Sequence, residues 1–179
     1  MVNYPLNIVW LKRDLRTQDH LPFYAAEKSN APYIPIYIFE PSAIAYPDSS
    51  LRHLQFIYHS IQVINEKLAE FGRKVYVFHG ETVDIFKYLN ENIGINKVYA
   101  YQESGIKQTW DRDKAVDEYF QKADIRGMEF QKDNVIRGIK NRKTWDKEWL
   151  KNMRIKTVPN NYSYQKPIEI DHPFQLEPE

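Results

Sequence analysis

The chain of 179 residues contains no cysteine, which excludes disulfide scaffolds, thiolate metal sites and cysteine nucleophiles. Glycine is scarce, with six residues, and neither a G-x-G-x-x-G nor a Walker motif is present, which argues against an NAD enzyme and a P-loop NTPase. No apolar run approaches the ~20 residues that a membrane helix needs. The first residues also lack the pattern of a signal peptide. We therefore expect a cytoplasmic protein with one main domain and no membrane partner.

A net charge of +1 conceals a local asymmetry. Residues 1–131 carry 15 basic and 17 acidic side chains, residues 132–156 carry 9 and 3, and residues 157–179 carry 1 and 4. The basic segment could attract a phosphate backbone, although a solvated lysine-rich helix face explains it as well. We expect an α/β domain over 1–131, a basic extension with Trp145 and Trp149 packed on it over 132–156, and the start of an interdomain linker over 157–179.

Short apolar segments rich in β-formers alternate with segments of helical period. The predicted strands are 7–11, 33–39, 74–78, 97–101 and, more weakly, 127–131. The predicted helices are about 20–29 with Asp19 as its cap, 51–71, 82–93, 110–123 and a short one over 144–153. Strands that are apolar on both faces and alternate with helices require a parallel sheet covered on each side. The sequence therefore predicts an α/β fold with a Rossmann-like, doubly wound, five-stranded parallel sheet.

Ligands of such sheets bind beyond the carboxyl ends of the strands. No histidine pair has metal-ligand spacing and no serine lies in a nucleophile elbow, so we predict neither a metal site nor catalytic residues. Asp14 is expected to pair with a neighbouring arginine and fix the first loop. The polar or conformationally special residues that directly follow the predicted strands are Lys12, Arg13, Asp14 and Arg16, then Glu40 and Pro41, His79 and Gly80, and Gln102, Glu103 and Ser104.

The segment from Val9 to His20, VWLKRDLRTQDH, resembles the opening motif of the DNA photolyase/cryptochrome family. Residues 38–41, 51–53 and Glu103 followed by 110–113 agree with the family in order and spacing. The sequence departs from the pattern at His20, where asparagine is usual, in the loose run 110–113, and over 135–149, which lacks the common T-P-F-type stretch.

The resemblance implies the N-terminal α/β antenna domain of a bacterial deoxyribodipyrimidine photolyase, a carbon–carbon lyase. The family's FAD sits in a C-terminal helical domain, the expected partner in cis, which these residues do not include. With light, reduced FAD in the full-length protein would split cyclobutane pyrimidine dimers in damaged DNA by electron transfer. This fragment alone is not expected to be catalytic. A folate, deazaflavin or flavin antenna chromophore could bind it, and it should be a monomer or weak dimer.

The resemblance also assigns roles to individual residues. Glu40, Gln102 and Glu103 would line the crevice, and Glu103 matches a carboxylate that contacts a folate-type antenna. Lys12 and Arg13 could instead meet a flavin or deazaflavin phosphate. Arg13, Asp14 and Arg16 would order the first loop and the contact between domains. Two alternatives remain open: a signalling cryptochrome without repair activity, and a free-standing nucleotide-binding domain of the universal-stress type.

Overall fold

Five parallel strands form one sheet with helices on both faces, as the sequence predicts. The computed structural model describes residues 5–133, 135 and 141–176. The strands are β1 (Leu6–Leu11), β2 (Tyr33–Phe39), β3 (Tyr76–His79), β4 (Ile95–Tyr101) and β5 (Arg126–Phe130). The helices are α1 (Leu21–Lys28), α2 (Pro41–Ile44), α3 (Leu51–Ala69), α4 (Thr82–Asn92), α5 (Lys107–Lys122) and α6 (Trp145–Met153).

The strand order β3-β2-β1-β4-β5 places β1 at the centre of the sheet. All six residues of β1 are buried, which explains why its sequence is apolar on both faces. From β1 the chain moves outward to β2 and β3, then crosses over to β4 and β5 on the other side. The connections therefore diverge between β1 and β4, and this is where open α/β sheets bind ligands.

Each face of the sheet has its own apolar core. On one face, Val9 and Leu11 of β1 pack with Phe23 of α1 and Leu68 of α3. On the other face, the core includes the first strand's Trp10, whose ring makes an edge contact with Phe86 of α4 at 5.2 Å, and residues of α5. The two layers of helices hold the strand ends at fixed positions, so the loops that follow those strands have a rigid base.

The predicted boundaries agree with the structure to within a few residues. The largest shift is in α5, which begins at Lys107 rather than at residue 110. The four-residue helix α2 was not predicted, although Pro41 at its first position is a typical helix start.

The cap of α1 was predicted wrongly. Asp19 has φ of 53° and does not cap the helix. His20 does so instead, since its Nδ1 accepts the backbone N–H of Phe23 at 3.2 Å. Asp19 lies in the turn just before the cap, where its Oδ1 accepts the backbone N–H of Val158 at 3.0 Å.

Residues 157–176, here called the tail segment, bind along the domain. The sequence indicates an extended linker, and the segment indeed has no helix or strand, but it is anchored at several points along its length. Asn160 is bound to both backbone groups of His20, the Gln165 amide exchanges two hydrogen bonds with the backbone of Tyr33, and the Phe174 carbonyl accepts from His79 N–H. The tail segment up to residue 174 is thus part of the folded unit, whereas a further domain beyond it stays a prediction.

Helix α6 contributes no buried residue. Its two tryptophans are each 39% exposed, and they stack on one another with ring centroids 6.3 Å apart. Both indoles are therefore partly exposed, and the packing of the extension on the domain stays a prediction. Arg137 and Lys140, which contribute to the basic charge, lie outside the described residues.

Candidate functional site: a cavity at the strand ends

A cavity of about 830 Å³ opens at the carboxyl ends of β1, β2 and β4. Ligand pockets in proteins typically span roughly 300–1,000 Å³, so this one is large enough for a cofactor-sized molecule. Six of the seven residues predicted to matter line it: Lys12, Arg13, Asp14 and Arg16 of the first loop, Glu40 after β2, and Glu103 after β4.

The first half of α3 forms the apolar wall of the cavity. None of residues 51–60 is buried, whereas Ile61, Ile64 and Leu68 in the second half pack into the core. Leu54 and Ile57 continue the same apolar stripe: they pack against the core in part and also line the cavity. The helical period of α3 is therefore correctly predicted, but the first half of its apolar face is only partly buried and is shared with the cavity.

Arg112 of α5 lies at the floor of the cavity among three carboxylates. Its Nη1 is 2.9 Å from Glu40 Oε2, and its Nη2 is 2.6 Å from Glu103 Oε2 and 2.8 Å from Asp113 Oδ1. The Thr82 hydroxyl also donates to Glu40. Burial lowers the pKa of the Arg112 guanidinium, but Glu40, Asp113 and Glu103 together outweigh it and leave the pKa raised, so this residue stays charged.

Lys12 is buried beneath the cavity. Its ammonium lies 3.2 Å from Asp113 Oδ1 and 3.6 Å from Glu129 Oε1, and 4.0 Å from the centre of the Trp10 ring. Only 4% of the Lys12 side chain is exposed. The ammonium of Lys12 is buried and already paired with two carboxylates, so it acts as a structural ion-pair partner. It is therefore poorly placed to bind a flavin or deazaflavin phosphate, the role that the family resemblance suggests for it.

The first loop is ordered by a buried pair that differs from the expected one. Asp14 does not pair with an arginine: its Oδ2 lies 2.6 Å from His20 Nε2, and its Oδ1 accepts the backbone N–H of Lys12. Arg16 instead donates to the Asp19 carbonyl and to the Tyr101 hydroxyl. Asp14 and Arg16 are therefore placed to order the loop, while their contact with another domain stays a prediction.

Two residues singled out in the sequence lie away from the cavity lining. Gln102 directly follows β4, and its backbone N–H continues the sheet by bonding to the Phe130 carbonyl at 2.8 Å. His79 ends β3 and bonds to the tail segment through its backbone. The structure thus brings Glu40 and Glu103 together but does not bring Gln102 to them.

Sequence reasoning missed Arg112 as the centre of the site. A local signal was present, because Thr109, Asp113, Val116 and Phe120 are all buried and share one face of α5. An acidic residue within such a stripe needs a cationic partner. Asp113 is the acidic residue, and its cationic partners are Lys12, which lies 101 residues away in the chain, and the adjacent Arg112.

Tyr37 adds a hydrogen-bonding group to the apolar part of the cavity. Burial raises the pKa of its phenol, and the nearby carboxylates of Glu103 and Glu40 raise it further. Tyr37 therefore carries its proton at neutral pH.

Over the described ranges 5–133, 135 and 141–176, no helix is long and apolar enough to span a bilayer, and no group of side chains is arranged to hold a metal ion.

Known proteins resemble this chain over part of their length. Cryptochrome DASH of Synechocystis sp. is 26% identical over 104 residues, which are 55% of this chain and 21% of that protein. The deoxyribodipyrimidine photo-lyase of Agrobacterium fabrum is 31% identical over 93 residues, 51% of this chain and 18% of that protein. The chain thus matches about a fifth of the length of these curated relatives.

The fold itself has been seen in solved structures. A cryptochrome crystal structure from Synechocystis sp. PCC6803 matches with a TM-score of 0.75 and 19% identity, over 96% of this chain and 39% of that one. The model of the DNA photolyase family matches residues 7–151, which include the sheet, the first loop and the acidic floor of the cavity. The chain therefore belongs to the DNA photolyase family.

Proposed function

We propose that this chain is the antenna domain of a light-driven flavoprotein and that the cavity holds the light-harvesting pigment. The observation that carries the proposal is the position of α3, whose apolar stripe is fully buried only from Ile61 onward and, before that residue, lines a cavity of about 830 Å³. Planar aromatic pigments bury most of their surface against apolar walls and are oriented by a few polar groups.

The polar groups at the cavity suit a pigment with N–H donors. Glu40 and Glu103 present carboxylate oxygens whose positions are fixed by Arg112, and side-chain exposure is 7% and 6%, so water competes little for them. Because Lys12 is neutralised by Asp113 and Glu129, the floor offers little attraction to a phosphate. Among the three pigment classes, the residues therefore favour a folate-type ring over a flavin or deazaflavin held by its phosphate.

The chain's own residues would bind and orient the pigment. Leu54 and Ile57 would cover one side of the ring, and the Tyr37 hydroxyl can donate a hydrogen bond. The bound pigment would absorb near-ultraviolet or blue light and pass the excitation to FAD in the helical domain.

Binding of candidate pigments to the 179-residue chain tests the proposal. We expect methenyltetrahydrofolate to bind with a shift in its absorbance, and Ile57→Glu to abolish binding. Val63→Glu is the matched control, because Val63 lies on the same helix, is 48% exposed and is outside the cavity lining. If methenyltetrahydrofolate, deazaflavin and flavin all fail to bind the unmodified chain, the antenna assignment is wrong.

For the full-length protein we propose light-dependent repair of cyclobutane pyrimidine dimers in damaged DNA, with FAD in the helical domain. The 31% identity to a deoxyribodipyrimidine photo-lyase supports this proposal, and the similarity to cryptochromes keeps light signalling as the second candidate. A free-standing nucleotide-binding domain of the universal-stress type is not proposed, because the chain belongs to the DNA photolyase family. Thymine-dimer DNA incubated with the full-length protein decides between the first two: loss of dimers in blue light but not in darkness supports repair, and intact dimers in both support signalling.

A further inference from the structure

Residues 141–156, which contain α6 and are here called the α6 surface, take no part in lining the cavity. Every residue of this stretch is exposed except Asn152, which is partly exposed. Helices shorter than ~12–15 residues are marginal in water by themselves and normally depend on packing of one face. A nine-residue helix that buries none of its residues lacks most of that packing, and a partner on its apolar side would supply it.

Aromatic and aliphatic side chains share one side of α6. Trp145, Trp149 and Met153 follow one another at steps of four residues, Leu150 lies beside Trp149, and Ile155 lies just beyond the end of the helix. The three aliphatic side chains are between 45% and 64% exposed, and the two indoles stack on each other. Indole rings favour the boundary between water and hydrocarbon, because the ring is apolar and its N–H is polar.

The α6 surface is also basic. It carries six basic and two acidic side chains, a net charge of +4 in a chain whose total is +1. Lys147, Lys151 and Arg154 follow one another at steps of four and three residues, which places them on one side of the helix. The two carboxylates, Asp146 and Glu148, lie in the first turn, where negative charge stabilises a helix. The surface therefore fits a partner that is both apolar and negatively charged.

An anionic lipid bilayer has both properties over its whole surface. Amphipathic basic helices lie in its interface, with the apolar side at the acyl boundary and the cations against the headgroups. A nucleic acid strand would pair with the cations and stack on the indoles, but it offers nothing apolar to Leu150, Met153 and Ile155. The expectation of no membrane partner rests on the lack of a segment that could cross a bilayer, and it does not apply to a helix that lies in the surface.

We propose that the α6 surface binds a negatively charged lipid bilayer. The two indoles, Leu150 and Met153 enter the interface, and the lysines and Arg154 lie against the headgroups. None of these residues lines the cavity, so membrane binding and pigment binding are separate properties of the chain.

Co-sedimentation of the 179-residue chain with vesicles tests the proposal. We expect binding to vesicles of equal parts phosphatidylcholine and phosphatidylglycerol, and binding weaker by about tenfold or more to phosphatidylcholine alone, because each Lys or Arg near an anionic surface contributes about fivefold. Tryptophan fluorescence should shift to shorter wavelength on binding, since the exposed indoles leave water. Added salt should weaken binding to the anionic vesicles, because it screens the headgroup charge.

Paired variants separate the apolar and the charged contributions. Leu150→Glu should weaken binding by about tenfold or more, because it removes a leucine side chain from the interface. Leu51→Glu is the matched control at an exposed leucine of α3 outside the cavity lining, and it should bind like the unmodified chain. Lys151→Gln should weaken binding about fivefold, whereas Lys122→Gln, at an exposed lysine of α5, should not. Because α6 buries no residue, Leu150→Glu should leave the thermal unfolding of the domain unchanged.

Three outcomes overturn the proposal: no binding to the anionic vesicles, equal binding to the neutral ones, or binding that Leu150→Glu weakens no more than Leu51→Glu does. If the chain ignores vesicles but binds a single-stranded oligonucleotide or a second copy of itself, and Leu150→Glu abolishes that binding, the surface has a different partner and the proposal is wrong. The antenna assignment is tested by pigment binding and is not affected by any of these results.

Discussion

The buried pair of His20 and Asp14 predicts that the domain loses stability in mild acid. His20 is fully buried, its Nε2 lies 2.6 Å from Asp14 Oδ2, and its Nδ1 accepts the backbone N–H of Phe23. Both ring nitrogens keep these roles only if the ring is neutral with its proton on Nε2. Burial lowers the pKa of His20, and the Asp14 carboxylate opposes this effect only in part.

The sign of the pH dependence follows from the direction of that shift. A histidine in the unfolded chain has a pKa of about 6.5. Below that pH the unfolded state binds a proton at residue 20, whereas the buried ring of the native state stays neutral. The stabilisation is complete above about pH 6.5 and is lost as the pH falls towards the folded-state pKa, at about 1.4 kcal/mol for each unit by which the pKa is lowered. Burial lowers the pKa of His172 too, which adds to the same effect. Burial raises the pKa of Asp14, but His20, the Lys12 backbone N–H and Lys132 together outweigh it and leave the pKa lowered, which matters only below about pH 4.

His20→Asn isolates the contribution of the ring. Asparagine is a favoured N-cap, so the cap of α1 should survive, while loss of the hydrogen bond to Asp14 should cost about 1.5–3 kcal/mol at pH 7.5. The free energy of unfolding should then fall less steeply between pH 7.5 and 5.5 than in the unmodified chain. Urea unfolding at several pH values measures this, with a constant m-value as the check on two-state behaviour. His172→Gln is the companion variant, and a slope that persists undiminished in the double variant would refute the reasoning.

Two further predictions concern the tail segment and the acidic floor. Gly72→Ala should destabilise the domain more than Gly94→Ala: both have positive φ (68° and 81°), but a Cβ at Gly72 would lie 1.9 Å from the Gln165 carbonyl oxygen, whereas one at Gly94 meets no atom closer than 3.6 Å. Equal losses in thermal unfolding would mean that the tail segment is not bound there in solution. Arg112→Met should cost about 3–5 kcal/mol, because it leaves buried carboxylates such as Glu40 without their cation, and a loss below 1 kcal/mol in urea unfolding would contradict the buried network.

The sequence predicts the sheet well because the information is local. Strands such as Tyr33–Phe39 are short and apolar on both faces, and each is followed by a helix of clear period, so the parallel arrangement follows from the alternation. Because the strands are parallel, Glu40 and Glu103, which directly follow two of them or come one residue later, are expected at the same edge of the sheet without knowledge of any contact. The family motif at the first loop adds the function, which no pattern of hydrophobicity contains.

The misses are contacts between residues far apart in the chain. The path of the tail segment depends on pairs such as His20 with Asn160 and Tyr33 with Gln165, which are separated by 140 and 132 residues. Proline and polar residues predict that such a segment is extended, but they do not say whether it leaves the domain or binds to it. His20 was overlooked as a cap for a related reason, since its role depends on a neutral ring that only burial beside Asp14 maintains.

Part of the buried charge network at the cavity floor could have been predicted from the sequence. Asp113 shares the buried face of α5 with Val116 and Phe120, and that position alone requires a cation in the core. Two carboxylates at the ends of β2 and β4, the strands on either side of β1, require a second cation, since like charges at that depth repel each other. Arg112 and Lys114 both adjoin Asp113 in the chain, and in the structure it is Arg112 that serves both needs. A network of buried charges can thus be inferred from the mismatch between residue type and helical face, whereas no such mismatch fixes the position of the exposed Arg13 beside Glu103, which is seen only in the structure.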